Sequence, residues 1–163
     1  MTTATPDRLE GAALEAWRSY LQSHASILRN LDAELVAAHG MTTRDYEVLL
    51  YLAQAPDRRL PMSALATSTM LTRSGITRLV DGLVEAGLTE RVACPSDARI
   101  SYARLTDLGF AKLREAGCTH IAGIQRLFLE HFTAPEIDQL ATLLSRLPGA
   151  GTEGSCAVEE AAE

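Results

Sequence analysis

Apolar residues recur at helical spacing along most of the chain. Leu14, Trp17, Leu21, Leu28, Leu31 and Leu35 stand three, four and seven residues apart, which predicts an amphipathic helix. Thr5-Pro6 offers it an N-cap with a first-turn proline, and Gly40 a stop. Such a helix has roughly 30 residues and spans ~45 Å. Its apolar face is longer than one small domain covers, so part of it is expected to pack against a second chain. Thr42 with Asp45 three residues on reads as a capping box, and Tyr46, Leu49, Leu50 and Ala53 carry a second helix to the break at Ala55-Pro56. Two short segments follow, "PMSALATSTM" and "LTRSGITRLVDGLVEAG".

Beyond Gly87 the period drops from 3.6 to two. "LTERVA" and "SYARL" read as strands, and the Pro, Ser and Asp of "CPSDARI" between them make a turn, so the pair is a β-hairpin. From Thr106, a further N-cap, Leu108, Leu113, Ile121, Ile124 and Phe128 predict a second long helix to about His131. A capping box at Thr133 and Glu136 then opens a last helix through Ile137, Leu140, Leu144 and Leu147. Residues 148–163 have no periodicity, four glutamates and no basic residue, and disorder is expected there.

Two short helices joined tightly and followed by a hairpin describe a winged helix-turn-helix. The expected fold class is therefore mainly α with a small β-hairpin wing. A length of 163 residues and a hydrophobic content of 47% suit one domain. The predicted division is a single domain over 1–147, in which a winged helix-turn-helix lobe (42–105) is flanked by N- and C-terminal dimerisation helices (9–38 and 106–147).

Within the second short helix Ile76, Leu79, Val80 and Leu83 fall at i, i+3, i+4 and i+7, and pack on the lobe's core. With Thr72 as N-cap, Arg73, Ser74, Thr77 and Arg78 occupy the other face within the first two turns. That is the part of a recognition helix that meets base edges and phosphates in a major groove. Gly75 costs ~1 kcal/mol inside a helix, and its missing side chain would let the backbone approach DNA or the first helix of the motif.

Net charge is −6, which by itself argues against a polyanionic partner. Its distribution argues the other way. Residues 57–105 hold seven arginines and five acids, a net of +2, while the remainder holds eight basic and sixteen acidic residues, a net of −8. Fourteen of the fifteen basic residues are arginine, which suits bidentate contacts to phosphate or guanine and equally fits a bias in coding composition.

The segment "MSALATSTMLTRSGITRLVDGLVEAGLTERVACPSDARISYARLTDLG" resembles the MarR (multiple antibiotic resistance regulator) family of bacterial transcription factors, and the resemblance extends over about residues 9–147. That family's wing carries an Asp-x-Arg motif, matched by Asp97 and Arg99, in which the acid orients an arginine that enters the minor groove. Its "LT..G" opening of the following helix is matched by Leu105, Thr106 and Gly109. The resemblance implies a homodimer built from the terminal helices, a pseudo-palindromic double-stranded DNA operator, and frequently release by a small molecule or oxidant. Repression is the expected outcome. In the family, aromatic ligands often lodge between the first helix and the DNA-binding lobe. Trp17, Tyr20 and His24, about a turn apart on that helix, are the candidates here, with core or dimer packing as their other role.

Other classes find little support. No GxSxG, GxxxxGK[ST] or HExxH is present, so no enzyme and no cofactor is expected. His120 and His131 share a helix face without an acid or cysteine at ligand spacing, so no metal is expected. Cys94, Cys118 and Cys156 are odd in number and far apart, reading as reduced thiols, and Cys94 lacks the family's N-terminal sensor position. No run approaches the ~18 apolar residues of a membrane span, and the N-terminus does not resemble a secretory signal, so a cytoplasmic protein is expected. The alternative that stays open is a winged-helix interaction module that does not itself bind DNA; salt-independent association with a protein partner would mark it.

Overall fold

The computed structural model describes residues 8–93 and 100–149. The chain runs α1 (Gly11–His39), α2 (Thr43–Gln54), β1 (Arg59–Pro61), α3 (Met62–Ser68), α4 (Arg73–Glu85), β2 (Thr89–Ala93), β3 (Ser101–Leu105), α5 (Asp107–Leu127) and α6 (Ala134–Leu144), with single 3-10 turns at Pro56–Arg58 and Leu129–His131. The strands form one antiparallel sheet in the order β1-β3-β2. Mainly α with a hairpin wing is the fold class read from the sequence.

Local chemistry accounts for most boundaries. Gly40 ends α1 in the left-handed conformation, at φ +66°, with its N–H donated to the Val36 carbonyl. At the start of α2 the Asp45 N–H donates to Thr42 Oγ1 (3.1 Å) and the Thr42 N–H to Asp45 Oδ2 (2.8 Å), the reciprocal pair of a capping box. Thr133 and Glu136 repeat the device at α6. Thr106 caps α5 through the Gly109 N–H at 3.0 Å.

Three expectations need correction. α1 begins at Gly11 with Glu10 as its N-cap, not after Thr5-Pro6, which lies outside the described residues. The second long helix stops at Leu127 instead of reaching His131. Phe128 leaves the helical region (φ −132°, ψ −60°), its ring meets Phe132 edge-on at 5.4 Å, and the Thr133 cap restarts a separate helix. The sheet has three strands where two were expected. Arg59–Pro61 is too short for alternation to show, and it is a strand because β3 offers it a free edge to pair with.

The core gathers around α2, whose Tyr46, Val48, Leu49, Leu50 and Leu52 are all buried, against Leu65 of α3, Ile76, Val80 and Leu83 of α4, and Leu113 and Ala116 of α5. α1 meets this core only through its second half, where Leu31 and Leu35 are buried. Polar ties hold α1 to α2 and to α5 there. Asp32 of α1 accepts from both the N–H and the hydroxyl of Thr43 (2.7 and 2.8 Å), His39 Nε2 and Thr119 Oγ1 share a hydrogen bond of 2.8 Å, and Arg126 of α5 pairs with Glu34. α5 approaches α1 closely at Gly123, where a Cβ would stand 2.6 Å from Leu31 Cδ2.

His120 of α5 is buried with its ring 4.7 Å from that of Tyr46, and its Nδ1 has no hydrogen-bond partner among the described residues. Burial pushes the imidazole below its ordinary value, so the folded chain carries it neutral at pH 7. The unfolded chain, titrating near pH 6.5, takes the proton first. Stability is therefore complete above about 6.5 and is lost as pH falls towards and through the lower folded value. Thermal melting followed from pH 7 to 5 should fall more steeply for the wild type than for His120→Phe; parallel curves would show that the imidazole does not couple to folding.

Candidate nucleic-acid interface

The sequence places both kinds of side chain on α4, and the fold separates them. Ile76, Val80 and Leu83 are buried, with Leu79 half-buried beside them. Thr72, Arg73, Ser74, Thr77 and Arg78 are exposed. The helix starts where Thr72, extended at φ −68° and ψ 160°, accepts the Gly75 N–H at 3.1 Å, and it ends at Gly87 (φ +73°), where the Leu88 N–H returns to the Leu83 carbonyl at 2.9 Å. A Cβ at Gly75 would lie 3.2 Å from Thr72 Oγ1, so the backbone's close neighbour there is the helix's own cap.

The exposed face carries two adjacent rows. One runs Arg73, Thr77, Asp81 and the other Ser74, Arg78, Gly82, with Glu85 beyond; together they line a shallow depression of about 610 Å³. Charge changes along it, cationic in the first two turns and acidic afterwards. No acid stands in the first turn, so the positive end of the helix dipole adds to the arginines. Arg73 and Arg78 form no ion pair among the described residues, whereas Arg44, Arg58, Arg59, Arg91, Arg104 and Arg126 are each paired with an acid. Two guanidinium groups are thus exposed with their donors uncommitted. The Thr77 hydroxyl already donates to the Arg73 carbonyl at 2.8 Å, which leaves its oxygen as an acceptor. Ser74 Oγ lies 3.2 Å from Thr72 Oγ1.

β2 and β3 pair from Thr89↔Leu105 to Ala93↔Ser101 and make the body of the wing. Asp97, Arg99 and Cys94 belong to the connection between these strands and lie outside the described residues. Glu90 and Arg104 face each other across the pair and bond at 2.7 Å, which raises the arginine's affinity for its proton. One feature of the wing escaped the sequence reading. Arg91 of β2 bonds Asp81 of α4 at 2.7 Å, joining the wing to the helix.

The three candidate ligand residues stack along the first half of α1. Trp17 and Tyr20 have ring centroids 6.2 Å apart, and Tyr20 and His24 6.0 Å. Trp17 is 51% exposed and Tyr20 45%, so within one chain the ladder stands in the open and not against the lobe. His120 and His131 part company, one buried and the other exposed on the turn after α5.

Two helices in tandem followed by a hairpin wing in a three-stranded sheet, with uncommitted cations outward on the second helix, define a winged helix-turn-helix protein. Comparison with known proteins places it further. A family model described as "MarR family" matches residues 39–100. The chain is 30% identical over 111 residues to the HTH-type transcriptional repressor YetL of Bacillus subtilis (strain 168), a match spanning 68% of this chain and 66% of that protein. It superimposes on two MarR family regulators of Streptomyces coelicolor. For Sco3205, solved in complex with DNA, the TM-score is 0.80 at 31% identity, covering 87% of this chain and 89% of that one; for AbsC it is 0.79 at 29%, covering 85% and 93%. The chain belongs to the MarR family: it is a non-enzymatic, DNA-binding transcriptional regulator. No helix among the described residues is long and apolar enough to cross a membrane.

Proposed function

We propose that this regulator works as a homodimeric repressor of a pseudo-palindromic operator, released by a small aromatic compound. The observation that carries the proposal is the bare apolar surface of the terminal helices. α6 buries none of its own residues, and Leu143, Leu144 and Leu147 at its end stay exposed, as do Trp17, Leu21 and Leu28 on α1. A helix with nothing to pack on in its own chain is stabilised by a second one. Two lobes related by the resulting two-fold axis present two α4 helices, and these meet successive major grooves ~34 Å apart on one face of the duplex. In this reading Thr72, Arg73, Ser74, Thr77 and Arg78 enter the major groove, and Asp97 and Arg99 of the wing serve the adjacent minor groove. The relative named a repressor supports repression.

The aromatic ladder of Trp17, Tyr20 and His24 is the proposed ligand surface, closed by the partner chain. A ligand bound there releases DNA if it favours a lobe spacing that no longer matches adjacent grooves. Footprinting with the upstream regions of the neighbouring genes, repeated with a panel of small aromatic acids, tests the whole reading. A sedimenting species of twice the chain mass, two protected half-sites about one turn apart, and loss of protection together with a change in Trp17 emission are expected. A stable monomer, or a single asymmetric footprint, refutes the dimeric operator. Active compounds that leave the emission of this sole tryptophan unchanged place the ligand elsewhere.

A further inference from the structure

Arg91 reaches from the first strand of the wing to the middle of α4. Its Nε–H and Nη2–H both donate to Oδ1 of Asp81, at 3.1 and 2.7 Å, and Nη2 also reaches the Thr77 carbonyl at 3.5 Å. Asp81 Oδ2 and Arg91 Nη1 have no hydrogen-bond partner among the described residues, and the two side chains remain 54% and 34% exposed. Asp81 stands one turn beyond Thr77 in the row that begins at Arg73, and it lines the same depression.

An acid in that row is a puzzle for a surface that meets phosphates. Stability does not resolve it, because exposed ion pairs add little once two mobile side chains have been ordered. The geometry points to Asp81 as a positioning residue that holds Arg91 for a phosphate contact beside the groove occupied by α4. Three of the guanidinium's donor positions are used or shared along α4, which sets its plane; Nη1 is left to meet the backbone of the DNA. The ordering of a long side chain is completed before DNA arrives, and β2 is tied to the recognition helix by the same contact. Arg91 also cancels the charge of Asp81, so the acid adds no repulsion while the pair is intact.

The inference rests on the reading that α4 enters the groove, and one salt series separates the two. Operator affinity is measured for the wild type, Arg91→Ala, Asp81→Ala, the double variant, and Arg73→Ala. Arg91→Ala should weaken binding roughly tenfold and lower the salt slope by about one phosphate contact. Asp81→Ala should also weaken binding, although it removes a negative charge, and should weaken it no further when Arg91 is already absent. In NMR spectra the Arg91 Nε–H signal should be sharp and slow to exchange in the wild type and lost in Asp81→Ala. Asp81→Asn, which keeps an oxygen acceptor and the side chain's shape, should fall between. Binding at or above wild type for Asp81→Ala, or an unchanged salt slope for Arg91→Ala, overturns the inference. If Arg73→Ala meanwhile loses its operator preference, the groove reading survives alone; if Arg73→Ala binds like the wild type, that reading has failed as well.

Discussion

Gly109→Ala is expected to cost the protein about 3 kcal/mol or more of stability, the upper end of what overpacking does to a core. Gly109 lies in the first turn of α5, where an ideal Cβ would stand 2.0 Å from the Leu88 carbonyl oxygen, 2.9 Å from its carbon and 2.8 Å from Leu105 Cδ1. Leu105 could rotate, but the carbonyl cannot withdraw freely. It accepts the Thr106 N–H at 3.1 Å and the Thr106 hydroxyl at 3.0 Å, the strap that joins the entry of the wing to the start of α5. Alanine's better helix propensity returns only ~1 kcal/mol. Gly82 is the internal comparison, since it too is helical but has nothing within 4 Å of its Cβ position. Gly82→Ala should therefore gain a fraction of that same propensity. Urea denaturation of both variants decides the matter: a Gly109→Ala midpoint equal to the wild type's would show that α5 shifts at little cost.

The same glycine shows what the sequence could and could not disclose. Leu105, Thr106 and Gly109 were visible as a motif, and the Thr106 cap was legible because Thr before an apolar period has a local meaning. The reason for Gly109 was not, because Leu88 comes within reach only after the hairpin has closed. Caps, helix faces and the turn at Gly87 are decided over three or four residues, and those were readable at Thr42, Thr72 and Thr133. β1 depends on an edge supplied by a strand more than forty residues later. Phe128 breaks an apolar period that continues through it, so α5 looked longer than it is. Arg91 and Asp81 are ten residues apart on different elements, and their meeting follows from the left-handed turn at Gly87 and from strand register. Arg73 and Arg78 were legible as outward-facing from periodicity alone. Their freedom from acidic partners emerges only from the structure, in which Arg58, Arg59, Arg91 and Arg104, the other described arginines between residues 57 and 105, are each paired.

That freedom makes the largest functional prediction. Arg73→Ala and Arg78→Ala should each weaken operator binding by roughly 1 to 3 kcal/mol, or ~5- to ~150-fold, if each makes a good contact in the major groove. The residues sit on adjacent rows and share no hydrogen-bond partner among the described residues, so the double variant should lose close to the product of the two factors. Thermal stability should not move, since neither guanidinium supports an ion pair among the described residues. Affinity for random DNA should fall much less than affinity for the operator, because contacts to base edges discriminate where contacts to phosphates do not. Arg99→Ala supplies the contrast. A wing arginine that reads groove width is expected to weaken binding to every operator alike and to lower the salt slope by about one contact. Competition binding of operator against random duplex, with each variant's melting curve alongside, measures all of this. Equal losses on both DNAs for Arg73→Ala and Arg78→Ala would reassign them to the phosphate backbone and leave the hydroxyls of Thr72, Ser74 and Thr77, the last as an acceptor for an adenine or cytosine amino group, to read sequence on this face.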